Sequence, residues 1–278
     1  MKNQSQISVS DSFREQERKL NAASGAQLEQ FRQFIAKNPY YTTLEDPRFI
    51  TPLMAGFKLR PPQEDSALRF RVYFDNCALN ATRSGIEIRM EDRSITGTEG
   101  WPYKQVIKIG QPGNAESHTL DRMEYTTKLK QSRPQLQTLK GESADYLKGV
   151  FNSRSLSKIQ LYPLVSIASQ RWKMLYHPDG NKDVQIELAT DIGRGQTVDG
   201  FTWDIFQVEI EMKKGAPKCF GIEEAKFMEA MPFLVPEFRS KPSPGFDHLM
   251  PVLEKKKNRE LIRHSMNNGI FQTLEFKN

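Results

Sequence analysis

The sequence contains few of the residues that build disulfide frameworks or zinc sites. Its 278 residues include two cysteines, Cys77 and Cys219, and four histidines, at positions 118, 177, 248 and 264. The cysteines are too few and too far apart for a disulfide framework, and the histidines show no metal-ligand spacing. These absences exclude a disulfide-rich secreted domain and a zinc module, and they favour the reducing cytoplasm as the location of the protein.

Long apolar runs are also missing. The first twelve residues, MKNQSQISVSDS, have no apolar core of the kind found in a signal peptide. No stretch approaches the roughly 18 consecutive apolar residues that a membrane-spanning helix needs. We therefore expect residues 1–12 to be a flexible lead and the protein to have no membrane partner.

The charge balance is basic but not extreme. Lys and Arg number 40 against 34 Asp and Glu, which gives a net charge of +6 and a pI near 9.2. This excess favours an anionic partner without identifying it, since phosphorylated metabolites, nucleic acid and acidic lipid would all satisfy it. The basic residues are not interleaved with aromatic ones, so sequence-specific recognition of nucleic acid has little support.

Hydrophobic spacing predicts helices in three regions. Residues 25–38 place Leu28, Phe31, Phe34 and Ile35 on one helical stripe. Residues 129–160 show looser helical spacing and predict a helical crossover, and residues 222–231 and 248–266 predict C-terminal helices. Residues 38–66 contain five prolines and predict a long connection with little regular structure.

Seven segments alternate apolar and polar residues with the period of a β-strand. They cover residues 68–75, 85–93, 103–110, 120–129, 167–177, 183–193 and 201–215, with turn signals at 178–180 and around 193–200. The last strand is the clearest, because Val208, Ile210 and Met212 alternate with Glu209, Glu211 and Lys213.

The polar faces of these strands carry Lys, Arg and Glu rather than a mixture of Thr, Ser and Gln. Each face could be an ordinary solvent-exposed surface, which is the commoner case for one strand. Alternatively, the faces line the polar interior of a closed barrel. Clustered carboxylates in such an interior suit a divalent cation, and a neighbouring ring of Arg and Lys suits a phosphate chain.

Seven short motifs occur in an order that resembles the CYTH superfamily, also called triphosphate tunnel metalloenzymes. They are FREQERKL at 13–20, YFDN at 73–76, GIEIR at 85–89, VIK at 106–108, RMEY at 122–125, ATDIG at 189–193 and VEIEMK at 208–213. The resemblance covers residues 13–215 and implies a β-dominated α+β fold. Its centre would be an eight-stranded antiparallel closed barrel, with surrounding helices and a helical C-terminal extension at 216–278.

The resemblance also implies roles for individual residues. One or two Mg²⁺ or Mn²⁺ ions would be held by carboxylates: Glu15, Glu17, Glu124, Asp191, Glu209 and Glu211. The phosphates of the substrate would be bound by basic residues: Lys19, Arg89, Arg93, Lys104, Lys108, Arg122, Arg171, Lys173 and Lys213. Glu15, Glu17, Lys19 and Lys108 would form the catalytic centre.

Three functions are compatible with the sequence. The first is a metal-dependent hydrolase of inorganic triphosphate or another small triphosphorylated compound, and the second is an adenylyl cyclase that converts ATP to cyclic AMP. The third is a module that binds polyphosphate or nucleotide without turnover, which the sequence makes conceivable because Glu91 stands where the superfamily usually has an Arg.

Two further expectations concern structure. Local rules favour a helix at FREQERKL, because Ser12 and Glu15 fit a capping box and Glu15 and Lys19 lie one helical turn apart. The resemblance instead predicts a strand there. The additional residues 22–66 and 216–278 could form a lid or a partner surface, but we expect them to pack around the outside of the barrel.

Overall fold

The computed structural model describes residues 11–37, 68–92, 103–110, 120–178, 181, 183–215 and 218–267. The helices are α1 (Gly25–Lys37), α2 (Asn80–Arg83), α3 (Glu142–Val150), α4 (Lys218–Ala230), α5 (Ser243–Glu254) and α6 (Lys256–Asn267). The strands are β1 (Asp11–Asn21), β2 (Leu68–Asp75), β3 (Ile86–Asp92), β4 (Tyr103–Ile109), β5 (Leu120–Leu129), β6 (Tyr162–Tyr176), β7 (Gln185–Thr197), β8 (Thr202–Lys214) and β9 (Val235–Glu237).

The first eight strands form a closed antiparallel barrel, as the resemblance to the CYTH superfamily implied. Their order is β5-β4-β3-β2-β6-β7-β8-β1, and the barrel closes because β1 also pairs with β5. Closure removes the free edges that an open sheet would expose. The short strand β9 pairs with the C-terminal part of β1, at Lys19–Asn21, beyond the point where β5 leaves β1.

The segment FREQERKL is a strand, which resolves the conflict between the helical and the extended predictions. Phe13–Glu17 pair with β5 and Glu17–Asn21 pair with β8. Tertiary contacts override the local helical signals here. Strand pairing on both sides satisfies the backbone hydrogen bonds and buries Glu17, Lys19 and Leu20.

Most helices cover the outside of the barrel. The outward side chains Val208 and Ile210 of β8 pack in one apolar cluster with Leu28 and Phe31 of α1 and Phe227 of α4. A second cluster joins the outer faces of β3–β5 to α2 and α3. Because helices cover their outer faces, the strands are buried on both faces although the inner face is charged.

The helix α5 lies at one end of the barrel interior rather than on its outside. Its residues Phe246 and Leu249 pack in one cluster with Tyr73, Ile167 and Ile205. Those three barrel residues share a strand face with Arg71, Arg171 and Glu209 respectively, because the separations are even. The C-terminal extension therefore packs on the outside through α4 and closes the interior through α5, which corrects the expectation of external packing alone.

Two predicted boundaries are wrong for identifiable reasons. The turn predicted around 193–200 begins later, because β7 continues to Thr197. Its glycines permit this continuation: a Cβ at Gly193 would lie 2.3 Å from the carbonyl oxygen of Ala168, and one at Gly195 would lie 2.1 Å from the Trp203 ring. The C-terminal pattern at 248–266 forms two helices, which are interrupted at Lys255.

The predicted crossover at 129–160 contains one α-helix, α3, between two 3₁₀ turns at Leu136–Thr138 and Leu156–Lys158. The predicted connection at 38–66 lies outside the described residues. Among the helices that the structure describes, none is long and apolar enough to cross a membrane.

Candidate active site in the barrel interior

A cavity of about 260 Å³ lies inside the barrel, and charged side chains form nearly all of its wall. Its basic lining residues are Lys19, Arg69, Arg71, Arg89, Lys104, Lys108, Arg122, Arg171, Lys173, Lys213 and Lys241. Its acidic lining residues are Glu17, Glu87, Glu91, Glu124, Glu209 and Glu211. Among the described residues the wall thus carries eleven basic and six acidic groups, an excess of positive charge that suits a polyanion.

Glu17 of β1 lies where the strands β1, β5 and β8 meet. Its carboxylate contacts Arg122 of β5 and lies 2.9 Å from the ammonium of Lys19. Burial alone would raise the pKa of Glu17, but Lys19, Arg122 and Lys108 together hold it well below its usual value. Glu17 is therefore a carboxylate at neutral pH although it is only 2% exposed.

Asp191 of β7 and Glu209 of β8 share two cations. Arg171 of β6 places its Nη2 2.6 Å from Asp191 Oδ2 and also contacts Glu209. Lys241 places its Nζ 3.1 Å from the same Asp191 oxygen and contacts Glu209 as well. Burial opposes ionisation of both acids, but these cations hold the pKa of Asp191 and of Glu209 well below the usual range.

The opposite wall, formed by β4 and β5, carries Lys104, Lys108 and Glu124. The ammonium of Lys108 lies 3.2 Å from Glu124, and that of Lys104 lies 3.8 Å from it. Burial raises the pKa of Glu124, and the two lysines together with Arg89 reverse the effect and lower it. One carboxylate therefore contacts two lysines on this wall.

A third group lies on β2 and β3. Glu91 lies 2.9 Å from Arg89 and 3.4 Å from Arg71, and Glu87 also contacts Arg89. Burial would raise the pKa of Glu91, but these arginines lower it well below its usual value. Glu91 thus offsets part of the positive charge of Arg71 and Arg89.

The remaining lysines of the wall belong to β6 and β8. Lys213 lies 2.6 Å from Glu211 on its own strand and 3.6 Å from Glu187 of β7. Lys173 also contacts Glu187. Burial lowers the pKa of Lys173, although Glu187 opposes the shift.

The structure brings most of the predicted site residues into this interior. The following predicted residues line the cavity: Glu17, Lys19, Arg89, Lys104, Lys108, Arg122, Glu124, Arg171, Lys173, Glu209, Glu211 and Lys213. Asp191 lies directly behind the wall, in contact with Arg171. Glu15 belongs to β1 and pairs with Arg122 in the backbone register, but its side chain is outside the described part. Arg93 also lies outside the described residues.

Sequence reasoning missed several members of the wall. Arg69 and Arg71 alternate on β2 in the same way as the predicted strands, so their spacing could have identified them. Glu87 likewise alternates with Arg89. Lys241 had no such signal, because it lies outside the barrel strands and reaches the cavity through the segment between β9 and α5.

Asp75, part of the motif YFDN, has a structural role rather than a role in the cavity wall. It is fully buried, and its carboxylate accepts hydrogen bonds from the backbone N–H groups of Ala81 and Thr82, at 3.1 and 2.8 Å. It therefore stabilises the start of α2 on the outside of the barrel.

The interior contains oxygen donors of the kind that bind a divalent cation. Glu17 and Glu211 are register partners on β1 and β8, and both line the cavity, so two carboxylates lie on one wall. Such oxygen donors are the ligands that Mg²⁺ and Mn²⁺ prefer. Among the described residues, however, no three acidic, His or Cys side chains form a group that could hold a metal ion, and each of these carboxylates contacts a Lys or Arg.

Comparisons with known proteins identify the fold. No protein-family profile and no curated protein matches the sequence. The crystal structure of a "putative adenylate cyclase" from Bacillus halodurans matches with a TM-score of 0.52 and 15% identity, over 84% of this chain and 98% of that chain. The chain therefore has the fold of that protein.

Two other solved structures match over similar lengths. A "putative adenylyl cyclase" from Hippeastrum, described as having a dominant triphosphatase activity, gives a TM-score of 0.42 and 12% identity over 84% of this chain and 96% of its own. A protein from Pyrococcus horikoshii OT3 gives a TM-score of 0.40 and 12% identity over 86% of this chain and 99% of its own.

Proposed function

We propose that this CYTH-like barrel is a divalent-metal-dependent hydrolase of inorganic triphosphate or another small triphosphorylated compound. The observation that carries the proposal is the composition of the closed interior, in which eleven basic residues face six acidic ones. Burying this many charged side chains is energetically unfavourable unless they form ion pairs with one another or bind an ionic ligand. A triphosphate chain matches the basic excess, and the carboxylates of β1 and β8 match a divalent cation.

The basic walls would bind and orient the substrate. Lys104, Lys108 and Arg122 lie on the adjacent strands β4 and β5, and Arg171 and Lys173 lie on β6. Their nitrogens can donate charge-assisted hydrogen bonds to phosphate oxygens. Phosphoryl transfer depends mainly on such positioning and on neutralisation of charge, and little on covalent participation by the protein.

The acidic groups would serve a different part of the reaction. Glu17 and Glu211, with Glu15 two residues before Glu17, would hold the divalent cation. A bound Mg²⁺ or Mn²⁺ neutralises phosphate charge and activates water as a nucleophile. Because the described carboxylates contact Lys or Arg, the cation has to compete with these ammonium and guanidinium groups.

The test is a substrate panel with purified protein. Tripolyphosphate, thiamine triphosphate and ATP are each incubated with Mg²⁺, with Mn²⁺ and with a chelator, and phosphate, pyrophosphate and cyclic AMP are measured. The proposal expects release of inorganic phosphate that needs the metal. Cyclic AMP and pyrophosphate from ATP would establish the cyclase in its place.

Binding without turnover is a second candidate, and the ion pairs favour it. Glu91 pairs with both Arg71 and Arg89, and the described carboxylates already have basic partners. If the protein binds tripolyphosphate with a metal-independent affinity and releases no product from any member of the panel, this second function replaces the first.

A further inference from the structure

Lys241 is the basic group of the described cavity wall that does not come from a barrel strand. It lies between β9 and α5, in the segment 238–242, which we term the strap. Its neighbour Arg239 is exposed, whereas Lys241 itself is only 8% exposed. The strap thus directs one long basic side chain into the barrel interior.

The ammonium of Lys241 lies between two buried carboxylates. Its Nζ is 3.1 Å from Asp191 Oδ2 and contacts Glu209 Oε1. Asp191 is fully buried and Glu209 is 8% exposed. The guanidinium of Arg171 contacts the same two acids, so two cations balance two anions in this cluster.

Removing Lys241 would leave this cluster with one uncompensated negative charge. An unpaired charge at a buried position is strongly unfavourable, so the cluster requires a cation there. Two carboxylates, one from β7 and one from β8, are also oxygen donors of the type that a divalent ion binds. An ammonium and a metal ion are therefore alternative occupants of one position.

The strap is anchored in a way that holds the ammonium in place. The indole Nε1–H of Trp203 on β8 donates a hydrogen bond of 3.2 Å to the backbone carbonyl of Lys241. Gly245, at the start of α5, lies so close to the same indole that a Cβ there would be 2.5 Å from it. On the other side of Lys241, Glu237 of β9 pairs with Lys19 of β1. Both ends of the strap are thus fixed to the barrel.

We infer that Lys241 is a built-in cation that occupies the Asp191–Glu209 position and excludes a divalent metal ion from it. Metal binding would then be confined to the wall formed by Glu17 and Glu211. The presence of metal at that wall rests on the proposed function. The exclusion of metal by Lys241 does not depend on it. Replacing Lys241 by a neutral residue opens a second cation site.

The experiment measures metal binding without any substrate. Mn²⁺ is titrated into the full-length protein, and free Mn²⁺ is followed by electron paramagnetic resonance while calorimetry gives the stoichiometry. The variants are Lys241→Gln, which keeps a donor of similar length, and Lys241→Arg, which keeps the charge. Lys148→Met is the matched control, because Lys148 lies on α3 and pairs with Asp145 outside the barrel.

We expect Lys241→Gln to bind one more Mn²⁺ per chain than the unmodified protein, or to bind Mn²⁺ at least tenfold more tightly. Lys241→Arg and Lys148→Met should behave like the unmodified protein. An unchanged stoichiometry and affinity in Lys241→Gln would overturn the inference. If the unmodified protein binds no Mn²⁺ but Lys241→Gln binds one, the inference stands and the proposed metal dependence fails.

A second variant distinguishes the effect of losing the ammonium from an effect on folding. Lys241→Cys is purified, its far-ultraviolet circular dichroism is compared with that of the unmodified protein, and part of the sample is treated with 2-bromoethylamine to restore an ammonium on a side chain of lysine length. The additional Mn²⁺ site should be present before treatment and absent after it. A site that persists after treatment would contradict the inference, and the unmodified protein treated in parallel controls for modification of Cys77 and Cys219.

Discussion

Arg122 of β5 contacts Glu17 of β1 across the seam at which the barrel closes, although 105 residues separate them in the sequence. Both side chains are buried and both line the cavity. Barrel closure thus places an acid predicted to bind metal beside a guanidinium predicted to bind phosphate. On the outer side of the same seam, Arg14 pairs with Asp121 in solvent.

These two ion pairs provide a matched comparison. Arg122→Met should weaken tripolyphosphate binding at least tenfold, because one charge-assisted hydrogen bond contributes about 1.5–3 kcal/mol. Arg14→Met also removes a guanidinium at the seam between β1 and β5, but this side chain is 65% exposed and lies outside the cavity. Calorimetric titration of both variants checks this, and equal weakening by the two substitutions would show that the tunnel is not the binding site.

Glu91→Gln should strengthen tripolyphosphate binding several-fold. Glu91 contacts Arg71 and Arg89, and the neutral amide removes one negative charge beside two arginines whose N–H groups can bind phosphate oxygens. Asp145→Asn is the control, because it removes an acid that pairs with Lys148 on the surface. The dissociation constants are measured at one salt concentration, and weaker binding by Glu91→Gln would mean that Glu91 positions the arginines instead of neutralising them.

The lowered pKa of Glu87 predicts a specific pH dependence of the free energy of unfolding. Burial favours its neutral form, but Arg89, Lys108 and Arg122 lower its pKa from 4.5 to about 2. Between these values the unfolded chain binds more protons than the folded one, so the stabilising contribution of Glu87 is complete above pH 4.5 and is lost toward pH 2. The difference in unfolding free energy between the unmodified protein and Glu87→Gln should therefore shrink as pH falls from 6 to 3.

Urea unfolding at several pH values measures this difference. Asp204→Asn is the comparison, since Asp204 pairs with Arg194 at the exposed end of β8. Its difference from the unmodified protein should be small, because solvent screens an exposed ion pair. A constant difference for Glu87→Gln would show that folding does not lower the pKa of Glu87.

The packing of α1 against α4 also has a measurable consequence. The rings of Phe31 and Phe227 are fully buried and meet edge to face, with centroids 5.3 Å apart. Phe31→Ala should lower the free energy of unfolding by about 3–5 kcal/mol, the usual effect of removing a buried aromatic ring. Phe238→Ala, at a side chain that is 42% exposed, should cost much less. Similar losses in urea unfolding would contradict the buried contact.

The strands were predictable where the sequence alternates strongly. In β8, the alternation of Glu209 and Glu211 with Val208 and Ile210 identifies both the strand and its two faces. The stripe of Leu28, Phe31 and Ile35 identifies α1 and its buried side in the same way. These signals are local, because each depends only on the period of one element.

Other features depend on contacts between distant segments and have no local signal. β1 is a strand because β5 and β8 pair with it, although its own residues also fit the start of a helix. Lys241 enters the site because Trp203 and Gly245 fix the strap to β8 and α5. The length of β7 depends on close approaches at Gly193 and Gly195 that only the assembled sheet defines.

The measurement that tests the account most directly is phosphate release from tripolyphosphate, with Mg²⁺ or Mn²⁺ and with a chelator, by the unmodified protein and by the double variant Glu17→Gln, Glu211→Gln. We expect release that requires the metal and falls at least a hundredfold in the double variant, because both carboxylates line the cavity and are register partners on β1 and β8. Lys148→Met should keep full activity. Release that continues in the double variant, or no release from any triphosphate with either metal, would contradict the account.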